Sequence, residues 1–510
     1  MQLSSSLVLD CDHIKNPGML LLGIDLGTSS VKVSVVDAES QQCICSVSYP
    51  ETETDIISSQ PGWAEQNPDT WWKHVQSAIL KSHAQKKYDP KQITAIGIAY
   101  QMHGLVCIDK DQQVLRNSII WCDSRAVDLG NDAFEKIGKE KCLSHLLNSP
   151  GNFTASKLAW VKQNEPAVYE NIDQVMLPGD FIAMKFTGES TTTIAALSEG
   201  IFWDFQQNEL SKDVFDHYEL DRSFIPVIQN VFGEHGKLLP AIASSLSLMP
   251  GIAVTYKAGD QPNNALSLNV LNPGEVAATA GTSGVIYAVS EELNYDKESR
   301  INSFAHVNYS ADQKRLGILL NINGTGILNR WLKTITGHAD SYASINEMSE
   351  KIKPGSEGII ILPFGNGAER MLGNKTIHAH LNNINFNIHN AAHLYRAAQE
   401  GIAFAFRYGL DIMRSNGIQP KIIRAGKANM FLSNVFSQVF VNVTQTPVEL
   451  FSGDGSVGAA LGAGIGAGVY KTPAEAFNNS IPLQKIEPAQ EKLYDELYHK
   501  WKKTLMFHLQ

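Results

Sequence analysis

The chain has 510 residues, 43% of them hydrophobic and 18% charged, with a formal net charge of −10. That length exceeds what a single hydrophobic core accommodates, so two domains are expected. The acidic balance argues against general affinity for nucleic acid or anionic lipid, and no apolar run approaches the length of a membrane span.

The first twenty residues lack a basic leader and carry acids inside their only apolar patch, so they do not read as a secretory signal; residues 1–19 are taken as an N-terminal extension. Residues 20–25 and 31–37 read as two strands joined by the turn D-L-G-T-S-S. A polar loop containing P-G-W leads to a helix over 68–81, and the nearly continuous apolar run I-T-A-I-G-I-A-Y (93–100) predicts a buried strand. The six cysteines (11, 43, 45, 107, 122 and 142) form no C-x-x-C pair. They fit reduced thiols in a cytoplasmic protein better than a zinc site or a disulfide framework. Helices dominate from about 125 to 200, and G-I-A-V-T-Y (251–256) predicts the next strand. Strands follow near 276–289 and 316–323, then a helix over 325–336 and a strand at 358–363. A long amphipathic helix covers 391–415, followed by strand 421–425, helix 430–440 and strand 447–451. A small-residue helix at 455–468 and a charged C-terminal helix complete the chain. Alternating strands and helices predict α/β layers. The second half opens as the first does, strand–turn–strand around G-T-S, so two copies of one supersecondary unit are expected.

The repeated turn is the first chemical signal. G-T-S-S (27–30) and G-T-S-G (281–284) place small residues and hydroxyls between strands, where backbone N–H groups are open to an anion. Either turn alone is as readily a plain hairpin. Facing each other across a cleft, the pair would hold the phosphates of one nucleotide, and Asp25, two residues before the first turn, is placed for Mg²⁺. No G-x-x-x-x-G-K-[ST] occurs, so a P-loop is excluded. G-D-G-S-V-G (453–458) has the dinucleotide spacing but is not followed by a second strand, and its glycines are read as bringing the helix they open close against its neighbour or the nucleotide.

Asp260, in Y-K-A-G-D-Q-P-N-N, ends a strand between the halves and has two readings, a general base facing a cleft or the cap of a helix beginning near Pro262. Q-M-H-G (101–104) leaves His103 at the carboxyl end of the 93–100 strand, where α/β proteins bind ligands. H-x-x-x-H (389–393) and H-A-H (378–380) lack a third ligand nearby and are not read as metal sites.

Taken in order and spacing, several segments make the chain resemble the FGGY family of carbohydrate kinases, within the actin-like ATPase superfamily, from about residue 20 to 505. In the first half these are G-I-D-L-G-T-S-S-V-K, P-G-W-A-E-Q-N-P-D-T-W-W, Q-M-H-G, I-I-W-C-D-S-R-A, F-T-A-S-K-L-A-W-V and L-P-G-D-F-I-A. In the second they are A-G-D-Q, A-G-T-S-G-V, I-L-P-F-G-N-G-A-E-R and G-D-G-S-V-G-A-A-L-G-A-G. The resemblance implies two actin-like, ribonuclease-H-like α/β domains around an interdomain cleft, 20–266 binding sugar and 267–510 binding ATP. It implies Asp260 as catalytic base and Asp25 beside Mg²⁺. Thr28 and Ser29, and Gly281, Thr282 and Ser283, match the phosphate turns; Gly426 and Asn429 match the adenosine segment. Met102 and His103 match the xylulose-kinase-like branch, whereas glycerol kinases carry Arg-Glu there, and Gln261 and Asn152 complete the expected sugar contacts. Lys427 stands where the family has glycine, Pro262 where it has small residues, and T-T-T-I-A-A-L-S-E-G (191–200) lacks the family's aspartate.

The implied activity is ATP-dependent phosphorylation of a ketopentose, D-xylulose first, to its 5-phosphate. Kinases of ribulose, fuculose or a glycerol-like polyol are the alternatives within the family. An actin- or chaperone-like ATPase and a silent sugar sensor are those outside it. The expected partner is a small sugar, without nucleic acid or membrane, with a homodimer among the expected assemblies.

Overall fold

A computed structural model describes residues 18–337 and 341–510. Of the expected N-terminal extension, residues 1–17 lie outside the described residues.

The first half is built on a five-stranded sheet in the order 253–259, 93–100, 20–26, 31–37, 43–49. Leu20–Leu26 and Val31–Asp37 pair antiparallel across the first G-T-S turn, Leu26 opposite Val31. Ile93–Tyr100 runs parallel to Leu20–Leu26, and Ala253–Gly259 runs parallel to Ile93–Tyr100. The central strands are buried almost throughout, as their unbroken apolar sequence requires when both sheet faces are covered, while the edge strand Cys43–Tyr49 is largely open.

The second half repeats this plan. Glu275–Ala280 and Gly284–Ser290 pair antiparallel across the second turn, followed outward by Leu316–Ile322. On the other side Ile422–Gly426 and Val448–Phe451 add in parallel. Edge strands Asn302–Ala305 and Gln484–Ile486 extend the sheet to seven strands. The inner five have the same order and directions as the first sheet, so the expected duplication is present strand for strand. Most boundaries fall within a few residues of expectation. The 430–440 helix divides into a 3-10 turn, Asn429–Leu432, and a helix, Asn434–Thr444, whose start is fixed by Ser433 accepting from the Phe436 N–H. The 125–200 region carries short strands, Gln174–Met176 and Thr191–Thr193, among its helices.

The two halves exchange a helix. Gly455–Gly466 belongs to the second half by sequence but packs across the first sheet, over Leu20–Leu26, Ile93–Tyr100 and Ala253–Gly259. Glycines make this contact possible. A Cβ at Gly23 would stand 1.9 Å from the Ser456 carbonyl oxygen, and one at Gly97 2.0 Å from that of Ala459. Thr255 Oγ1 donates to the Ala463 carbonyl at 2.8 Å, tying the helix to the third strand it crosses. The counterpart in the first half, Asp260–Ser267, leaves the end of Ala253–Gly259 and meets both Gly455–Gly466 and the second sheet. Asn263 Nδ2 donates to the Gly455 carbonyl at 2.8 Å where the two helices meet. Among the described residues no helix is long and apolar enough to cross a membrane, and the five described cysteines are free thiols.

Gly97→Val is expected to lower stability by roughly 1–3 kcal/mol or more, the cost of forcing side-chain volume into a filled contact. Thermal unfolding measures this. An unchanged midpoint would mean that the 455–466 helix does not lie on the sheet this closely.

Candidate active site

Both G-T-S turns are held from behind; the first engages its threonine hydroxyl within the fold, and the second leaves Thr282 and Ser283 exposed. In the first, the Gly27 N–H donates to the Ser30 carbonyl at 3.0 Å. Thr28 Oγ1 donates to Gln101 Oε1 and accepts from Trp121 Nε1, each at 2.9 Å, and Ser29 is exposed. In the second, the start of the helix Gly326–Thr336 serves as the support. The N–H groups of Gly326 and Ile327 donate to the Gly281 and Thr282 carbonyls at 2.9 and 3.1 Å. Thr282 and Ser283 then face outward, exposed. Gly281, Thr282 and Asn429 line one cavity of about 500 Å³ together with Asn329, Tyr342 and Leu432. Gly426 is not in its lining; it ends the strand Ile422–Gly426, close against the backbone of Gly453.

Acidic side chains gather between the sheets. Asp25 ends the first strand, and a Cβ at Gly455 would stand 2.4 Å from its Oδ2, so the helix can begin there only with glycine. Asp454 caps that helix by accepting from the Ser456 N–H and pairs with Lys32 at 2.5 Å. Burial and the Asp454 charge push Asp25 up to about 6, with Lys32 opposing. Asp260 is pushed to about 7 by burial and then by Asp25, while main-chain and side-chain groups of Gln261 pull the other way. The cap reading of Asp260 is excluded. Its helix starts at Asp260 itself, Gly259 takes the cap position, and no side-chain cap bond forms. A carboxylate at a strand end with its acidity weakened toward neutrality is suited to take up a proton.

On the sugar-facing side expected for the first half, Met102 is 5% exposed and packs against Gly259, immediately before Asp260. His103 adopts a left-handed backbone with φ of 62°. Its Nδ1–H donates to the Glu199 carbonyl at 2.9 Å, and its ring lies against Phe153 and Phe304 at 4.7 and 5.4 Å. Burial and the nearby Lys157 ammonium hold the ring's pKa down to about 3, so it is neutral. With Nδ1 donating, Nε2 is left as an acceptor. Asn152, one residue before Phe153, has a buried Oδ1 without a partner among the described residues. Such an acceptor in a native fold calls for a ligand or water.

Four residues given no role from the sequence complete this wall. Lys157 donates to the His103 and Ile120 carbonyls at 2.8 and 3.0 Å, locking two loops together. Burial lowers its pKa to about 7 against the pull of Asp123. Trp121 is 52% exposed even though its indole N–H is engaged by Thr28. Phe304 arrives from the second half, and Arg370 lies near enough for its charge to depress His103 further. Trp121, Lys157 and Arg370 all lie in segments that carried the family resemblance, which was the available signal; Phe304 had none. His389 and His393 each bond locally through Nδ1. His389 Nδ1 accepts from the Asn385 N–H, and His393 Nδ1 bonds the Asn390 side chain that begins the long helix.

Residues 20–267 match the N-terminal domain of the FGGY family of carbohydrate kinases, and residues 276–469 match its C-terminal domain. A xylulose kinase of Escherichia coli (strain K12) is 28% identical over 471 residues, covering 92% of this chain and 93% of the relative. The crystal structure of a xyloylose kinase from Brucella ovis superposes with a TM-score of 0.84 at 26% identity, covering 96% of this chain and all of that one (100%). The fold alone is shared with glycerol kinase from Plasmodium falciparum, at a TM-score of 0.87 and 19% identity, covering 97% of this chain and 99% of that one. With duplicated actin-like sheets facing a cleft and both family domains matched along most of its length, the chain belongs to the FGGY family of carbohydrate kinases and is an ATP-dependent sugar kinase.

Proposed function

We propose that this kinase phosphorylates a ketopentose, D-xylulose to D-xylulose 5-phosphate, with the sugar on the 20–266 side of the cleft and MgATP on the 267–510 side. The observation that carries the reading is Asp260, a carboxylate lifted to about 7 at the end of Ala253–Gly259, one residue beyond the Gly259 contact with Met102. The similarity to xylulose kinases supports the choice of sugar.

The site's chemistry follows from its donors and acceptors. Neutral His103 offers Nε2 to a sugar hydroxyl, and the unpaired Oδ1 of Asn152 offers a second acceptor. Gln261 bonds Asp260 through its main chain and side chain, and would orient the hydroxyl that reacts. Asp260 takes that hydroxyl's proton as the oxygen becomes a nucleophile, a step that a carboxylate near pKa 7 performs at neutral pH. Ser29 from one half, and Gly281, Thr282 and Ser283 from the other, present hydroxyls and N–H groups suited to phosphate oxygens, while Thr28, its hydroxyl held by Gln101 and Trp121, would contribute through its main chain. When bound, MgATP supplies the phosphoryl group and the divalent charge that shields its oxygens. The residues fit that cation. Burial first, and then a neighbouring carboxylate, lifts Asp25 and Asp260, and a divalent ion beside them would offset both. Among the described residues no three ligands converge on a metal, and Mg²⁺ held by one or two carboxylates plus phosphate needs no such cage. With the reacting groups on separate halves, closure would bring them together and exclude water.

Wild-type protein assayed for ADP release on a panel of D-xylulose, ribulose, fuculose and glycerol, with and without Mg²⁺, should turn over D-xylulose best and require the metal. Preference for another sugar would overturn the substrate assignment. Asp260→Asn should lower kcat/KM by about 10²–10⁴-fold while nucleotide binding in calorimetry is retained; near-normal turnover would remove Asp260 from its role.

The same variant should be more stable than wild type at pH 8. A carboxylate whose pKa is raised from 3.8 to about 7 on folding costs the native state nothing below the lower value. The cost grows between them and is complete above the upper one, on the order of 1 kcal/mol or more. The gain in unfolding temperature should therefore grow from pH 4 to 7, and a gain independent of pH would contradict the raised pKa. His103→Ala should raise the sugar KM by roughly 5- to 150-fold, the loss of one buried acceptor, with the KM for ATP unchanged.

A further inference from the structure

One edge of the second sheet is closed by side chains of the first half. Asn302–Ala305 is the outermost strand on that side, paired antiparallel with Leu316–Ile322. An edge strand turns every second N–H and C=O away from its sheet, with no strand to meet them. Here Asn148 takes the place of one. Its Oδ1 accepts from the Ser303 N–H at 3.0 Å, and its Nδ2 donates to the Ser303 carbonyl at 2.7 Å. The same Oδ1 accepts from Asn302 Nδ2 at 2.9 Å, and the same Nδ2 donates to the Leu146 carbonyl at 3.2 Å, so the whole amide is engaged. Two residues along the strand, the Ala305 N–H donates to Ser198 Oγ at 2.9 Å, and that hydroxyl donates to the Ala195 carbonyl. Asn148, Ser198, Ser303 and Ala305 are all buried.

These bonds bracket Phe304. The residues on both sides of it are fastened to the first half, and its ring lies against His103 and Phe153. His103 is held from the same place. Ser198 and Glu199 end the short helix Ile194–Glu199; the first grips the strand that carries Phe304, and the carbonyl of the second accepts from His103 Nδ1. Two consecutive residues thus set both partners of the Phe304–His103 contact. They belong to the T-T-T-I-A-A-L-S-E-G segment, which departs from the family's pattern. Breaking the fastening would leave buried main-chain groups unpaired, a costly state, so the strand stays with the first half although its sheet belongs to the second.

We infer that Asn148 and Ser198 are positioning residues for sugar binding: they fasten the edge strand of the second half to the first half and so hold Phe304 against His103. This rests on the placement of the sugar beside His103, and not on which sugar is phosphorylated. The test is a double-mutant cycle in steady-state kinetics, with the sugar of the panel that wild type turns over best, D-xylulose first. Phe304→Ala should raise the sugar KM by about 2- to 13-fold, the worth of one aromatic contact, with the KM for ATP unchanged. Asn148→Ala should raise it by a similar factor. Because Asn148 acts through Phe304, the double variant should be no worse than the poorer single one. Ser198→Ala, which removes one bond and little volume, runs the same cycle and decides the matter if Asn148→Ala does not fold. An unchanged sugar KM in Asn148→Ala and Ser198→Ala, multiplied effects in the double variants, or an equal rise in the KM for ATP overturns the inference alone. A wild type that prefers another sugar overturns the substrate proposed above, while the cycle run with that sugar still decides the role of Asn148 and Ser198. A wild type that turns over no sugar overturns both.

Discussion

Where the 455–466 helix crosses the first sheet, main chain lies directly on main chain. Gly23 and Gly97, on neighbouring strands, leave no side chain between themselves and the carbonyls of Ser456 and Ala459. The rest of the site depends on that closeness. It brings the start of the helix to Asp25, where only Gly455 fits, and sets Asp454 within reach of Lys32. It also leaves Asp260–Ser267 to meet its counterpart through Asn263 and Gly455. A helix raised by the thickness of one leucine would carry Asp454 away from Asp25 and open the Asp25 carboxylate to water, and its raised pKa would fall with the burial that causes it.

The carboxylate cluster shows how such an arrangement is tolerated. Burial opposes ionisation of Asp25 and Asp260, the Asp454 charge adding to it at Asp25 and the Asp25 charge at Asp260, and these are unfavourable terms for a folded chain. They persist because they sit at the ends of strands buried on both faces, where the surrounding core fixes the backbone. Strain and charge concentrated at strand termini, with apolar packing behind, is the arrangement in which a functional group can be both unhappy and immobile.

What the sequence disclosed depended on whether a feature was local. The strand–turn–strand units, Asp25, the two G-T-S turns and the strand leading to Asp260 lie within a few residues of the patterns that define them, and the structure has them where periodicity and turn chemistry predict. Local evidence failed to separate the two readings of Asp260, because a helix start beside Pro262 suits a cap as well as a base; the position of Gly259 removes the cap. Lys157 was illegible for a different reason. Its partners, the carbonyls of His103 and Ile120, lie 54 and 37 residues away and carry no side-chain signature. Phe304 crosses from the opposite half to reach His103, a contact that no local pattern announces. The small-residue run at 455–466 predicted close packing, but not that its surface of contact would be the other half's sheet.

That exchange changes what kind of object the duplication is. The two copies look like modules, with equivalent sheets, turns and terminal helices. Yet the first sheet takes its cover from a helix that begins at Gly455, far past the second turn at 281–284. Cutting the chain between the copies would leave an apolar sheet face open to water and a helix of alanine and glycine with no surface to rest on. The repeated unit is therefore a unit of ancestry and geometry but not of folding. The hinge between the halves is woven from both of them, and its autonomy was surrendered when each lent the other a helix.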